Sequence, residues 1–139
     1  MMNEPISSIM TTKVVTVRPD DTLEAVKDIL FFKKVHHIPV VEGHRLVGII
    51  TSYDLVKLGR CQEEYRQIKV KEVMTEKVAT LEPEEKIGAA AQIFLENLFH
   101  GIPIVNEDRD LVGIVTSLDV LRYNFHKAYP EHQIYWEPV

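Results

Sequence analysis

Two stretches of this chain pair a hydroxyl with a carboxylate at a spacing that suits sugar and phosphate chemistry. Gly48-Ile49-Ile50-Thr51-Ser52-Tyr53-Asp54 is said again as Gly113-Ile114-Val115-Thr116-Ser117-Leu118-Asp119. In each, an apolar strand end runs into a Thr-Ser pair, and an Asp follows three residues beyond the Thr. Thr and Ser are favourable N-caps, so a helix should begin at each pair with the Asp in its first turn. A strand that stops at a helix N-terminus gathers backbone N–H groups and a hydroxyl at one point, which suits a phosphate. The Asp can accept hydrogen bonds from a sugar diol, as an acidic residue does in dinucleotide folds. A plainer purpose is available too: the Thr caps the helix and the Asp favours its positive end. One copy alone needs nothing more than the cap. The repetition asks for more.

Composition narrows the function classes. The 139 residues suffice for one domain with a real core, and 45% hydrophobic with 27% charged residues is ordinary for a soluble protein. A formal net charge of −5 argues against nucleic acid as a general partner, since phosphate backbones demand a basic surface. The single cysteine, Cys61, excludes an internal disulfide and a thiolate metal cluster, and fits a reducing compartment. No apolar run approaches the roughly 18 residues needed to span a bilayer. Met1-Met2-Asn3-Glu4-Pro5 shows no signal-peptide pattern. A cytoplasmic protein without membrane insertion is expected.

The elements that must position the two stretches repeat with them. Met10-Thr11 returns as Met74-Thr75, Lys13-Val14 as Lys77-Val78, Thr16 as Thr80, Pro19 as Pro83, His36 as His100, and Ile38-Pro39 as Ile102-Pro103. After one inserted residue near Asp108, Leu46-Val47-Gly48-Ile49 falls on Leu111-Val112-Gly113-Ile114. Each unit reads β-α-β-β-α. In the first, Val14 to Val17 is a β-prone run stopped by Pro19, and Asp21 with Glu24 makes a capping box. Leu23, Val26, Ile29 and Leu30 then recur at helical spacing over 22–34, with 86–98 as the counterpart. Ile38 to Val41 and Leu46 to Ile50 form a hairpin around Glu42-Gly43-His44-Arg45, and a helix follows from Ser52 to about Leu58. The second copy has a small-residue face at Gly88 to Ala91, suited to close approach of another helix, and a longer turn from Asn106 to Asp110. The boundaries are 1–60 for the first copy, 61–71 for a polar connector, 72–125 for the second copy and 126–139 for an aromatic tail. A lone core below roughly 70–80 residues is marginal, so the copies should pack together as one duplicated module.

In this order, the features of Ile6 to about Tyr123 resemble a tandem pair of CBS domains, the module named after cystathionine β-synthase. The resemblance is carried by the Met-Thr lead-in, the strand with Thr before a Pro, the His-x-Ile-Pro strand and the Gly-Ile-Ile/Val-Thr-Ser-x-Asp close, each present twice. It implies an α/β (α+β) fold of two β-α-β-β-α repeats with pseudo-twofold symmetry, as in stand-alone CBS proteins of bacterial or archaeal type. It also implies a regulatory, energy-sensing kind of module rather than an enzyme. Such a module would bind AMP, ADP, ATP or S-adenosylmethionine in clefts between the repeats, with no obligatory cofactor, and signal by conformational change to a regulated protein as a homodimer. Carried over by position, the first cleft would use Thr16, His36, His37, Ile38, Thr51 and Asp54, and the second Thr80, His100, Gly101, Ile102, Thr116 and Asp119. The Asp would hold the ribose hydroxyls and the Thr would meet the α-phosphate. Backbone before the Pro would read the adenine edge, and the Ile would pack on the base. The position before the Ile is often basic in nucleotide-binding members; here it is His37 in one copy and Gly101 in the other. On the family's geometry His37 would serve the second cleft, making it the better phosphate site.

Other readings have less behind them. Lys57 and Arg122, three residues beyond each Asp, read as solvated rather than ligating. The six histidines lack a metal-ligand spacing, although His36 and His100 are symmetric. Cys61 has no positioned base, and no His stands near Thr116 in sequence to activate its hydroxyl. The serious rival is an interaction module whose clefts are vestigial.

Overall fold

The computed structural model describes residues 2–97 and 99–131. Tyr135 and Trp136 of the expected aromatic tail lie outside them. Contacts divide the described residues into two compact units: Val15–Val78, and residues 2–14 together with the described residues from Ala79 to 131.

In the Val15–Val78 unit, helix α1 (Leu23–Lys33) starts at Thr22, whose hydroxyl accepts from Ala25 N at 3.3 Å. The cap is thus Thr22 and not Asp21, whose carboxylate instead accepts from Arg18 N at 2.8 Å and tightens the preceding turn. Lys34, left-handed at φ 53°, ends the helix. Leu23 and Val26, one turn apart, are fully buried; withdrawing a side chain of this size from water stabilises the fold by about 1.5–3 kcal/mol. Strands β1 (His37–Glu42) and β2 (Arg45–Thr51) form an antiparallel hairpin, turning through Gly43 at φ +62° and shifting register between Val40 and Val41. Helix α2 (Ser52–Leu58) follows without a loop and stops at Gly59, φ +67°.

The run Val14 to Val17 contributes a single parallel bridge rather than a strand. Val17 N donates to Pro39 O and Val41 N to Val17 O. Pro39 has no N–H to return, so the ladder cannot extend past it. The polar connector is structured: Gln62–Gln67 and Val70–Glu72 are 3-10 turns that bury Tyr65 and Val70. Both residues join the core of Val17, Leu23, Val26, Ile38, Val40, Ile50 and Leu55.

The other unit repeats this plan with helix α3 (Ile87–Glu96), hairpin β3 (Gly101–Val105) and β4 (Leu111–Thr116), and helix α4 (Ser117–Ala128). The longer turn is held by Asn106 Oδ1, which accepts from Asp108 N and Asp110 N. Helix α3 has no side-chain cap. Its first N–H groups are taken by carbonyls of the N-terminal segment, Ile87 N to Glu4 O and Gly88 N to Met2 O, each 2.9 Å. At Gly88 the close neighbour is therefore the backbone of Met2, 3.3 Å from where a Cβ would stand, and not another helix. The core gathers Ile6, Leu81, Ile87, Ala90, Ile102, Ile104, Val115 and Val120.

The two Met-Thr lead-ins make equivalent contacts. Thr11 exchanges both backbone hydrogen bonds with Ile114 of β4, and Thr75 does the same with Ile49 of β2, all at 2.9 Å. Each lead-in thus edges the hairpin of the copy it does not precede or begin. Gly113 and Gly48 make room for it: a Cβ at either would lie 2.7 Å from the Met sulfur and 3.0 Å from the Thr carbonyl oxygen.

Candidate functional site

Each site is built where a hairpin's second strand runs into a helix. Thr51 is the last residue of β2 and the N-cap of α2. Its backbone N donates to Asp54 Oδ2 at 2.9 Å, its hydroxyl donates to the same oxygen at 3.1 Å, and Asp54 N donates to Thr51 Oγ1 at 3.3 Å. Thr116 and Asp119 repeat the reciprocal cap at the start of α4, with 2.8 Å from Thr116 N to Asp119 Oδ2 and 3.2 Å from Asp119 N to Thr116 Oγ1. The hydroxyl and carboxylate are therefore locked together by a capping box, and the Thr-x-x-Asp spacing is what makes that possible.

The hairpin register brings the other candidates to the same ends. His37 pairs with Thr51 and Gly101 with Thr116. Ser52 N donates to His36 O at 3.3 Å and Ser117 N to His100 O at 3.1 Å, so each His carbonyl sits at a helix N-terminus. His36 and His100 are exposed, while His37, Gly101, Thr51 and Thr116 are half-buried. Thr16 and Thr80 are half-buried too, but they lie on the far side of β1 and β3, level with Pro39 and Pro103 by the bridges at Val17 and Leu81.

One expected role is not available as first read. Ile38 and Ile102 are 0% exposed and belong to the cores of their units, because alternation along the strand turns them inward where the residues before them turn out. Their side chains do not present a face to a base; only their backbone can.

The two copies differ in charge. Asp54 is the one charged residue buried among those described, at 6% exposure, and Lys57 lies apart from it, with Nζ 5.5 Å from the Tyr53 ring centroid. In the second copy Arg122 Nη1 donates to Asp119 Oδ1 at 3.3 Å, so Arg122 is paired with that carboxylate rather than simply solvated. Beyond it lies a cavity of about 540 Å³ bordered by Asp119, Arg122, His126, Lys127 and, from the N-terminal segment, Glu4 and Ser8. Glu4 accepts from Tyr123 Oη at 2.7 Å and pairs with Lys127 Nζ at 2.7 Å. The Lys127 ammonium, and then the Tyr123 hydroxyl, hold the Glu4 carboxyl below its ordinary range, while Glu4 raises both of theirs. Sequence spacing had no signal for this cluster, since Glu4 and Lys127 lie at opposite ends of the chain.

No group of three or more His, Cys, Asp or Glu among the described residues is placed to hold a metal ion, and no described helix is long and apolar enough to cross a membrane.

Similar proteins share this architecture. The protein MJ1225 of Methanocaldococcus jannaschii is 32% identical over 133 residues, which are 87% of this chain and 47% of its own length. Its crystal structure matches with a TM-score of 0.83 over 88% of this chain and 48% of that one. The structure of CBSX2, from Arabidopsis thaliana, in complex with AMP matches with a TM-score of 0.80 at 26% identity, over 90% of this chain and 98% of that one. The CBS domain pair of protein MJ0100 in complex with 5′-methylthioadenosine and S-adenosyl-L-methionine matches with a TM-score of 0.78 at 28% identity, over the same shares. The chain spans about half or less of the length of the curated relatives it matches. The profile of the CBS domain matches residues 6–60 and again 70–126, and this chain belongs to the CBS domain family.

Proposed function

We propose that this protein is a non-catalytic ligand-sensing module in which the Thr-Asp capping box of each copy is the sugar end of an adenosine site. The observation that carries the reading is the same reciprocal cap in both copies, each a carboxylate held at a strand-to-helix junction where the first helical N–H meets a His carbonyl. A cap needs only one carboxylate oxygen, Oδ2 in both copies, and each oxygen has further lone pairs for a diol. The adenosine ligands of CBSX2 and MJ0100, namely AMP, 5′-methylthioadenosine and S-adenosyl-L-methionine, support the class of molecule. On this reading Asp54 and Asp119 hold ribose, and Thr51, Thr116, Thr16 and Thr80 supply hydroxyls. Backbone of His36 to Ile38 and His100 to Ile102 reads the base.

Sensing requires something to signal to, and each copy exposes apolar residues at the same helix positions. Tyr53 and Val56 of α2 are 67% and 77% exposed, and Leu118 and Leu121 of α4 are 50% and 64% exposed. Such pairs favour a protein surface as neighbour. A homodimer is the occupant we propose, with a regulated protein responding to its conformation. Light scattering at micromolar concentration should give twice the chain mass, and a monomer would reject the dimer. For the ligand, thermal unfolding with AMP, ADP, ATP and S-adenosylmethionine is the test. A ligand at a hundred times its Kd adds about 2.7 kcal/mol, a plain rise in Tm. No rise with any of the four would leave a module that only assembles.

A further inference from the structure

Two sulfur atoms stand at the same place in the two copies. At Gly113 of β4 a Cβ would lie 2.7 Å from Met10 Sδ and 3.1 Å from Met10 Cγ; at Gly48 of β2 it would lie 2.7 Å from Met74 Sδ and 3.2 Å from Met74 Cγ. Each thioether therefore fills the space that a side chain would take on the strand. Both glycines are buried, whereas Met10 and Met74 are half-buried. Met10 packs against the core that holds Ile6, Ile102 and Val115, and Met74 against the one that holds Val17, Ile38 and Ile50. Each sulfur is thus wedged on one side and within reach of a small solute on the other.

A leucine could fill the same space. What a thioether adds is a lone pair that an oxidant can take. Hydrogen peroxide transfers one oxygen to such a sulfur: the lone pair forms the S–O bond, the O–O bond breaks, and water leaves with both peroxide protons. Sulfur is oxidised by two electrons and the peroxide is reduced by two. The sulfoxide is polar where the thioether was apolar. No room exists for its oxygen on the strand side, where even a Cβ is too close to the sulfur. The oxidised group must turn toward water, and the wedge then leaves the glycine. The residue after each Met makes the backbone bridge to the strand, Thr11 with Ile114 and Thr75 with Ile49.

We propose that Met10 and Met74 are sites of reversible oxidation by peroxide, at which each sulfoxide unfastens a lead-in from the strand that ends in a capping box. Gly113 lies three residues before Thr116 and Gly48 three before Thr51, so the strand that loses its edge is the one that delivers the Thr-Asp pair. Met2 provides an internal contrast. It approaches Gly88 through its carbonyl oxygen and Cβ, at 3.3 and 3.6 Å from where a Cβ would stand, and not through its sulfur. The proposal concerns the fastening and does not depend on which ligand the boxes hold.

Peroxide treatment of a Cys61→Ser background tests it, since the exposed thiol would otherwise react as well. Peptide masses report which methionines have gained an oxygen, and amide exchange reports the bridges. Oxidation of Met10 should speed exchange at Thr11 and Ile114 about tenfold or more, and oxidation of Met74 should do the same at Thr75 and Ile49. The Tm should fall by about 4 °C or more. A pair of methionine sulfoxide reductases, one for each epimer, should restore both readings. The comparison before oxidation, after it and after reduction needs no further variant. Met10→Leu with Met74→Leu should hold the Tm within about 1 °C through the same treatment. With Met74→Leu as background, Met10→Gln, polar and unoxidisable, should lower the Tm relative to Met10→Leu without peroxide. Sulfoxides at Met10 and Met74 with unchanged exchange and Tm would overturn the proposal. So would an equal fall in the doubly substituted protein, which would place the effect at Met2 or elsewhere. Met10 and Met74 left intact by a peroxide dose that oxidises the unfolded chain would overturn it too.

Discussion

Replacing Gly113 by Ala tests whether the N-terminal lead-in is fastened to the strand that delivers Thr116 and Asp119. The added methyl would lie 2.7 Å from Met10 Sδ, 3.1 Å from Met10 Cγ and 3.0 Å from Thr11 O. The thioether can swing aside, since Met is unbranched and adaptable. The carbonyl cannot, because Thr11 and Ile114 exchange two backbone hydrogen bonds at 2.9 Å. Either the bridge opens or β4 is pushed out of register with β3. Overpacking of this kind costs about 1–3 kcal/mol, and at about 4 °C per kcal/mol for a chain of this size the Tm should fall by about 4–12 °C. Calorimetric melts of the wild type and Gly113→Ala measure it directly. Met10→Ala should not rescue the variant, because the carbonyl contact remains. A Tm within about 1 °C of the wild type, or full rescue by Met10→Ala, would refute the reasoning.

Three further outcomes are expected. Thr116→Ala removes the side-chain cap of α4 and should cost about 0.5–2 kcal/mol, read by denaturant unfolding; no loss would mean the box contributes nothing to the helix. Tyr65→Ala should cost about 3 kcal/mol or more, as for other buried aromatics, whereas a connector that is only a tether would tolerate it. Glu4→Gln should lower the Tm in a pH-dependent way. The folded-state pKa of Glu4 is depressed, so its stabilisation is present above its ordinary value of 4.5 and lost as pH falls through the folded value. The pKa of Lys127 is raised, so its share is full below 10.5 and lost as pH rises through the folded value. The Tm gap between wild type and Glu4→Gln should therefore be widest in between and close at both ends, and a gap independent of pH would reject the contact.

What the sequence discloses follows from how far apart the interacting residues are. The capping boxes are legible because Thr and Asp lie within one helical turn of each other, and the hairpins because Gly43 and the Asn106 turn join strands directly. Helix α1 is legible from the recurrence of Leu23 and Val26, although Thr22 outcompetes Asp21 for the cap once Asp21 turns to Arg18 N. The partner of Met10-Thr11 is not legible: a short lead-in carries no mark of which strand edge will take it, and Ile114 is most of the chain away. Tyr65 reads as part of a polar connector because its apolar neighbours in space, such as Leu23 and Val26, come from another element. Arg122 at Asp119 depends on a rotamer, which spacing alone does not choose.

On the proposed function, the Asp of each capping box binds the sugar of an adenosine ligand. Titration calorimetry of AMP and adenosine into the wild type and into Asp54→Ala/Asp119→Ala, with both proteins confirmed as folded by their melting transitions, tests it most directly. Each lost carboxylate removes a hydrogen bond worth about 1.5–3 kcal/mol, so the double variant should bind about 10- to 150-fold more weakly at each site. Undiminished binding by the folded double variant would contradict the account.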